Sequence, residues 1–198
     1  MSISLQPTTP PDREAEPVGP TYRLSVDQYH RIKREGILTR DDRVELLEGF
    51  IYLKESPPDE PFYRLSVEQY HRMAESGILT KNDRIELLEG WLVAKMTEHQ
   101  PHVISANLAF HAVSDLLPDG WFATKEDPIT ASDSEPEPDV AVVSGSIRDY
   151  QDRAPGPAEV ALVVEVAEAS LPGDRSIKKR LYARSGFPIY WLITLLSG

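Results

Sequence analysis

The chain has no cysteine among its 198 residues. That excludes a disulfide framework and any thiolate metal site, leaves oxygen and nitrogen as the available ligands, and fits a reducing compartment. Long apolar runs are missing too: no stretch approaches the roughly 18 residues that a membrane-spanning helix requires. The first twenty residues lack the apolar stretch of a secretory signal and instead hold five of the 17 prolines, so a cytoplasmic location is expected. Positive charge is scarce, with 21 Lys and Arg against 32 Asp and Glu, for a net charge of −11. Such a chain has no global field for a polyanion. Contact with nucleic acid would need a local basic face, or metal ions held by clustered carboxylates.

What is present is a globular balance of 40% hydrophobic and 27% charged residues, enough to build a core. Residues 1–20 read as a disordered, proline-rich tail. An internal repeat follows. Residues 21–49 (TYRLSVDQYHRIKREGILTRDDRVELLEG) and 62–90 (FYRLSVEQYHRMAESGILTKNDRIELLEG) are offset by 41 positions and identical at 20 of 29. That is too close for convergent patterning and reads as a segmental duplication. Two copies are too few for a solenoid. In each copy a serine, Ser25 or Ser66, stands where a helix N-cap belongs, and Gly36 or Gly77 stands where the helix should stop. Tyr29, His30, Tyr70 and His71 read as helix surface and packing. A strand with a bend at Glu89-Gly90 is expected over 85–96, and its shorter counterpart over 44–54.

Further along, apolar spacing over 102–117 predicts an amphipathic helix. Strands are expected over 121–124, 139–143, 158–167 and 189–195, and a helix over 174–184. The continuous apolar runs suit a sheet covered on both faces. The fold class that follows is α/β (α+β), a three-layer sandwich with a mixed central sheet flanked by helices. The division expected is a tail (1–20), the duplicated helix–strand segment with its linker (21–61) and the main domain (62–198).

Two carboxylates stand out. Asp139 sits at the mouth of an apolar strand behind a proline-fixed approach, and Glu165 interrupts the run Ala161 to Ala167. A carboxylate in a buried sheet is costly unless paired, protonated or metal-bound, and two on adjacent strands could offer hard oxygen ligands to Mg²⁺. Asp174, Lys178 and Tyr182 share one helix face at four-residue spacing, so Lys178 can point back at the acids and orient water or stabilise developing charge. Taken singly, each of these residues fits a surface ion pair equally well.

The segments SEPEPDVAVV, VALVVEVAEAS and DRSIKKRLYARSGFPIYWLI, with DRIELLEGWLVAKM and PHVISANLAF before them, resemble the Uma2 family of restriction-endonuclease domains. That family lies within the PD-(D/E)xK nuclease superfamily. The resemblance covers roughly residues 62–195. It implies a restriction-endonuclease-like core and a DNA endonuclease that uses Mg²⁺ or Mn²⁺. It also implies Asp139 and Glu165 as metal ligands and Lys178 as the catalytic lysine, moved to a helix because Ala167 stands where the motif lysine belongs. His102 matches a family histidine that could face the site, with capping or packing as the other reading. Glu86 is read as part of a bend before a strand. The family has one copy of the opening unit where this chain has two, and usually continues past the Tyr190-Trp191 strand. The extra copy could cover the edge of that strand or swap into a partner in a homodimer. The rival readings are a catalytically inactive nuclease-like domain acting in binding or assembly, and a hydrolase of small phosphoesters. The basic run Arg175, Lys178, Lys179, Arg180 and Arg184 is a candidate phosphate-contacting face or a solvated one.

Overall fold

A computed structural model describes residues 20–57, 60–168 and 172–195. The expected tail lies outside these residues except for Pro20, as do the side chains of Asp174 and Arg175.

Each copy of the repeat folds as one helix and one hairpin. The first has α1 (Val26–Arg34), β1 (Val44–Leu47) and β2 (Phe50–Leu53); the second has α2 (Val67–Glu75), β3 (Ile85–Leu88) and β4 (Trp91–Ala94). Ser25 and Ser66 do cap the helices, and Gln28 and Gln69 complete capping boxes by accepting the serine backbone N–H. The expected long strands are hairpins because Glu48-Gly49 and Glu89-Gly90 both take positive φ, the geometry of a tight two-residue turn. At Gly90 a Cβ would also lie 2.7 Å from Cβ of Arg64.

The two copies pack on each other and share one core containing Leu24, Ile32, Leu38 and Val44 of the first and Leu65, Met73, Leu79 and Ile85 of the second. Their contacts are reciprocal. Tyr22 hydroxyl donates to Asp83 at 3.1 Å and Tyr63 hydroxyl to Asp42 at 2.8 Å. Gln28 donates to the Ile78 carbonyl and Gln69 to that of Ile37, both at 3.1 Å. Arg31 donates to Ser76 carbonyl at 2.9 Å and Arg72 to Glu35 carbonyl at 2.8 Å. The segment leading into each copy pairs with the hairpin of the other: Tyr22 N–H donates to Leu92 carbonyl at 2.8 Å and Tyr63 N–H to Ile51 carbonyl at 2.9 Å.

The rest is the expected sandwich. Helix α3 (Gln100–Ser114) precedes β5 (Trp121–Thr124), β6 (Val140–Ser144) and β7 (Val160–Glu168); α4 (Pro172–Arg184) leads to β8 (Tyr190–Leu195). The sheet order is β5-β6-β7-β8, antiparallel except for the parallel β7–β8 pair. Val140, Val142, Leu162 and Val164 face α3 through Phe110 and Val113. Ala141, Val143 and Val163 face the other way, onto Ile177, Leu181 and Tyr182 of α4 and Leu88 and Trp91 of the second hairpin. No strand of the first copy joins the four-stranded sheet, so it does not cover the β8 edge. Its apolar face is satisfied by the second copy instead.

Candidate active site

Register brings the two acids together. Val140 of β6 lies opposite Val164 of β7 in antiparallel pairing, so Asp139, one residue earlier, falls opposite Glu165, one residue later. Side chains alternate across a sheet, and both acids share the face of Ala141 and Val163, toward α4. Asp139 is 7% exposed and Glu165 8%. Asp139 Oδ2 accepts the Val166 N–H at 2.6 Å, across the two strands.

Helix α4 supplies the cation. Lys178 Nζ lies 3.1 Å from Glu165 Oε1 and 3.3 Å from Glu86 Oε1. One turn on, Tyr182 hydroxyl donates to Glu165 Oε1 at 2.6 Å. The anticipated geometry of Lys178 and Tyr182 on one helix face is therefore present. Burial raises the Glu165 carboxyl from 4.5 to about 7, opposed by the Lys178 charge and reinforced by Asp139 and Glu86. Tyr182, buried beside that carboxyl, is held well above its ordinary value.

Glu86 corrects the sequence reading. It is not merely a residue before a bend: it is 4% exposed, and it lines the same cleft as Asp139, Glu165, Lys178 and His102. The chain over 133–137 pairs with β3, with Glu135 N–H donating to the Leu87 carbonyl at 2.7 Å and Glu137 N–H to Glu86 Oε2 at 3.1 Å. The sequence signal was the one that exposed Glu165, an acid flanked by apolar residues in a strand. The repeat hid it, because Glu45 occupies the same position in the first copy and is exposed there.

His102, at the start of α3, places Nε2 3.4 Å from Asp139 Oδ1. The contact with Asp139 raises its pKa, against the opposing effect of burial. Its Nδ1 is buried without a hydrogen-bond partner among the described residues, 4.0 Å from Glu98 Oε2. At the rim, Lys95 pairs with Glu137 at 2.7 Å, beside Glu98 and Glu126.

The basic run on α4 divides. Arg180 binds Glu89 through two nitrogens at 3.1 and 2.6 Å. Arg184 reaches both oxygens of Asp133 at 2.9 and 2.7 Å. These arginines clamp α4 to the second hairpin and its flanking loop, and are neither a bare phosphate face nor merely solvated. His71, read as helix surface, places Nε2 2.7 Å from both oxygens of Glu135.

Three buried carboxylates around one ammonium and one imidazole form a set of hard oxygen donors with surplus negative charge. Among the described residues no three acid or histidine side chains converge on one point as a metal cage. Asp139 and Glu165 are the pair that could hold a hard cation there, with water completing the shell, as Mg²⁺ commonly requires.

A mixed sheet between helices, with one acid at the start of a strand and a second inside its neighbour, is the restriction-endonuclease-like architecture. The Uma2 family model, described as "Putative restriction endonuclease", matches residues 67–196. The chain belongs to that family, and membership supports a nuclease function. The fold is similar to that of a crystal structure described as a "putative nuclease belonging to DUF820" from Anabaena variabilis ATCC 29413. The likeness has a TM-score of 0.50 at 16% identity, covering 66% of this chain and 74% of that one. No curated protein matches the chain. No described helix is long and apolar enough to cross a membrane.

Proposed function

We propose that the chain is a divalent-metal-dependent DNA endonuclease that hydrolyses phosphodiester bonds at the Asp139–Glu165–Lys178 cleft. The observation that carries this reading is the contact of Lys178 with Glu165, 3.1 Å apart, beside Asp139 in one buried cleft of a Uma2 fold. Asp139 and Glu165 would hold Mg²⁺ or Mn²⁺, which when bound supplies Lewis-acid activation of water and of the phosphoryl oxygen. Lys178, held between Glu165 and Glu86, positions the attacking water and offsets charge on the phosphate. Tyr182 fixes the Glu165 carboxylate from below. His102, with one nitrogen toward Asp139 and the other unpartnered, is placed to relay a proton at the cleft mouth. DNA as the substrate follows from the family's description. The division into a duplicated unit and a family domain over 62–198 belongs to this same reading.

The rim favours one rival. Glu98, Glu126 and Glu137 surround the opening, and Arg180 and Arg184 are engaged elsewhere, an arrangement better suited to a small phosphoester than to a long polyanion. Plasmid cleavage by the purified protein with Mg²⁺ or Mn²⁺ tests both. The endonuclease reading expects cleavage that Asp139→Ala and Lys178→Ala each reduce by about 10²-fold or more. Turnover of a small phosphodiester without plasmid cleavage would replace DNA as the substrate. Neither activity, from folded protein that binds metal, would leave a nuclease-like domain acting in binding or assembly.

A further inference from the structure

We infer that the duplicated units form a closed internal pair, so that the chain works as a monomer with one catalytic centre and nicks one DNA strand per encounter. The nicking half of this inference rests on the endonuclease reading above; the pairing half does not.

The hydrogen bonds that cross between the copies come in pairs 41 positions apart. Tyr22 to Asp83 mirrors Tyr63 to Asp42, and Arg31 to Ser76 mirrors Arg72 to Glu35. Reciprocity of this kind is the signature of an isologous interface, in which one patch meets a second copy of itself. Here both patches belong to one chain. The face that α2 and β4 would offer to another molecule is filled by α1 and the segment leading into it, and Ile32 and Met73, equivalent positions, are both fully buried in the shared core. A self-recognising surface satisfied within the chain is closed to a second molecule.

The pair is symmetric in its frame but not in its chemistry. On the second copy, Glu86 is buried against Lys178. Its counterpart Glu45 is exposed. Asp139, Glu165 and Lys178 lie outside the repeat, and among the described residues no second set of them stands beside Glu45. A frame that would carry two centres if each unit had its own core therefore carries one. One centre hydrolyses one phosphodiester per binding event, and cutting both strands needs a second event.

The test uses the full chain. Its mass in solution is measured at the concentrations used for cleavage of supercoiled plasmid with Mn²⁺. The expected result is a single species of 22.2 kDa, open circles as the first product, linear DNA only after many nicks, and an initial rate first order in protein. A stable dimer would overturn the monomeric working unit. A monomer that makes linear DNA as its first product would overturn the nicking step. A folded monomer that leaves plasmid intact would remove the endonuclease reading and nicking with it, while its mass upholds the monomeric unit.

Discussion

Glu165 carries the sharpest consequence at the scale of a single residue. Its carboxyl rises from 4.5 to about 7 chiefly because burial disfavours the charged form. A group raised in the folded state contributes stability that is complete below its unfolded value and is lost as pH climbs through its folded value. The metal-free protein should therefore lose stability between about pH 4.5 and about 7, and Glu165→Gln should remove that part of the slope. Urea midpoints across the window measure it; equal slopes for the two proteins would contradict the assignment. Divalent metal needs the deprotonated carboxylate, so Mn²⁺ affinity, followed by calorimetry, should rise through the same window and weaken in the variant. That Asp139, Glu165 and Lys178 meet in one cleft was legible because the two acids stand at and inside apolar runs and Lys178 shares a helix face with Tyr182; their roles are the proposal above. Tyr182 was placed on the right face, but its hydrogen bond to Glu165 was not foreseen, since spacing fixes a face and not a partner. Glu86 was missed because an identical residue in the first copy, Glu45, has an ordinary solvent-exposed role.

Among the elements, α4 is positioned by ion pairs as well as by packing. Ile177, Leu181 and Tyr182 seat it on the sheet, Arg180 forks onto Glu89 through two nitrogens, and Arg184 donates from one nitrogen to both oxygens of Asp133. The forked Arg180–Glu89 pair fixes orientation as well as adding energy, although the two arginine side chains are 56% and 49% exposed, so each pair is worth at most about 1 kcal/mol. Replacing both arginines by alanine should lower stability by about 1–2 kcal/mol, read from denaturant midpoints. Because they hold protein carboxylates, the salt dependence of DNA binding should keep its slope. Direct phosphate contacts would instead flatten that slope by about 0.9 per lost charge. The helices and strands themselves were readable from periodicity and caps, whereas the hairpin turn at Glu89-Gly90 was read only as a bend and that at Glu48-Gly49 was not read, because a positive φ at glutamate is uncommon. The arginine clamp could not be read at all: its partners lie 91 and 51 positions away.

For the molecule as a whole, the repeat was plain in the sequence, but its mode of packing was not. Identity between two segments says nothing of whether each buries its apolar face on the other or elsewhere. The alternatives of covering the β8 edge or swapping into a partner were drawn from the gap in the family pattern, whereas the shared core of α1, α2 and their hairpins answers a nearer need. Each hairpin–helix unit is too small to bury its own face, and its twin offers a matching one. Coupling between the copies follows. The three tryptophans, Trp91, Trp121 and Trp191, all lie outside the first copy; Trp91 packs edge-on to Phe50 of the first hairpin, 6.3 Å between ring centres, so Trp121 and Trp191 report the nuclease core while Trp91 also senses the seam between the copies. Ile32 is 0% exposed in the core that both copies share. Ile32→Ala should cost about 2–5 kcal/mol, and if the core is cooperative the loss must appear in the tryptophan signal as a lower midpoint with one transition. An unchanged midpoint, with the loss visible only by circular dichroism, would mean that the first copy unfolds by itself and is an appendage. A shared shift would mean that the duplicated unit helps hold β3, and with it Glu86, at the mouth of the catalytic cleft.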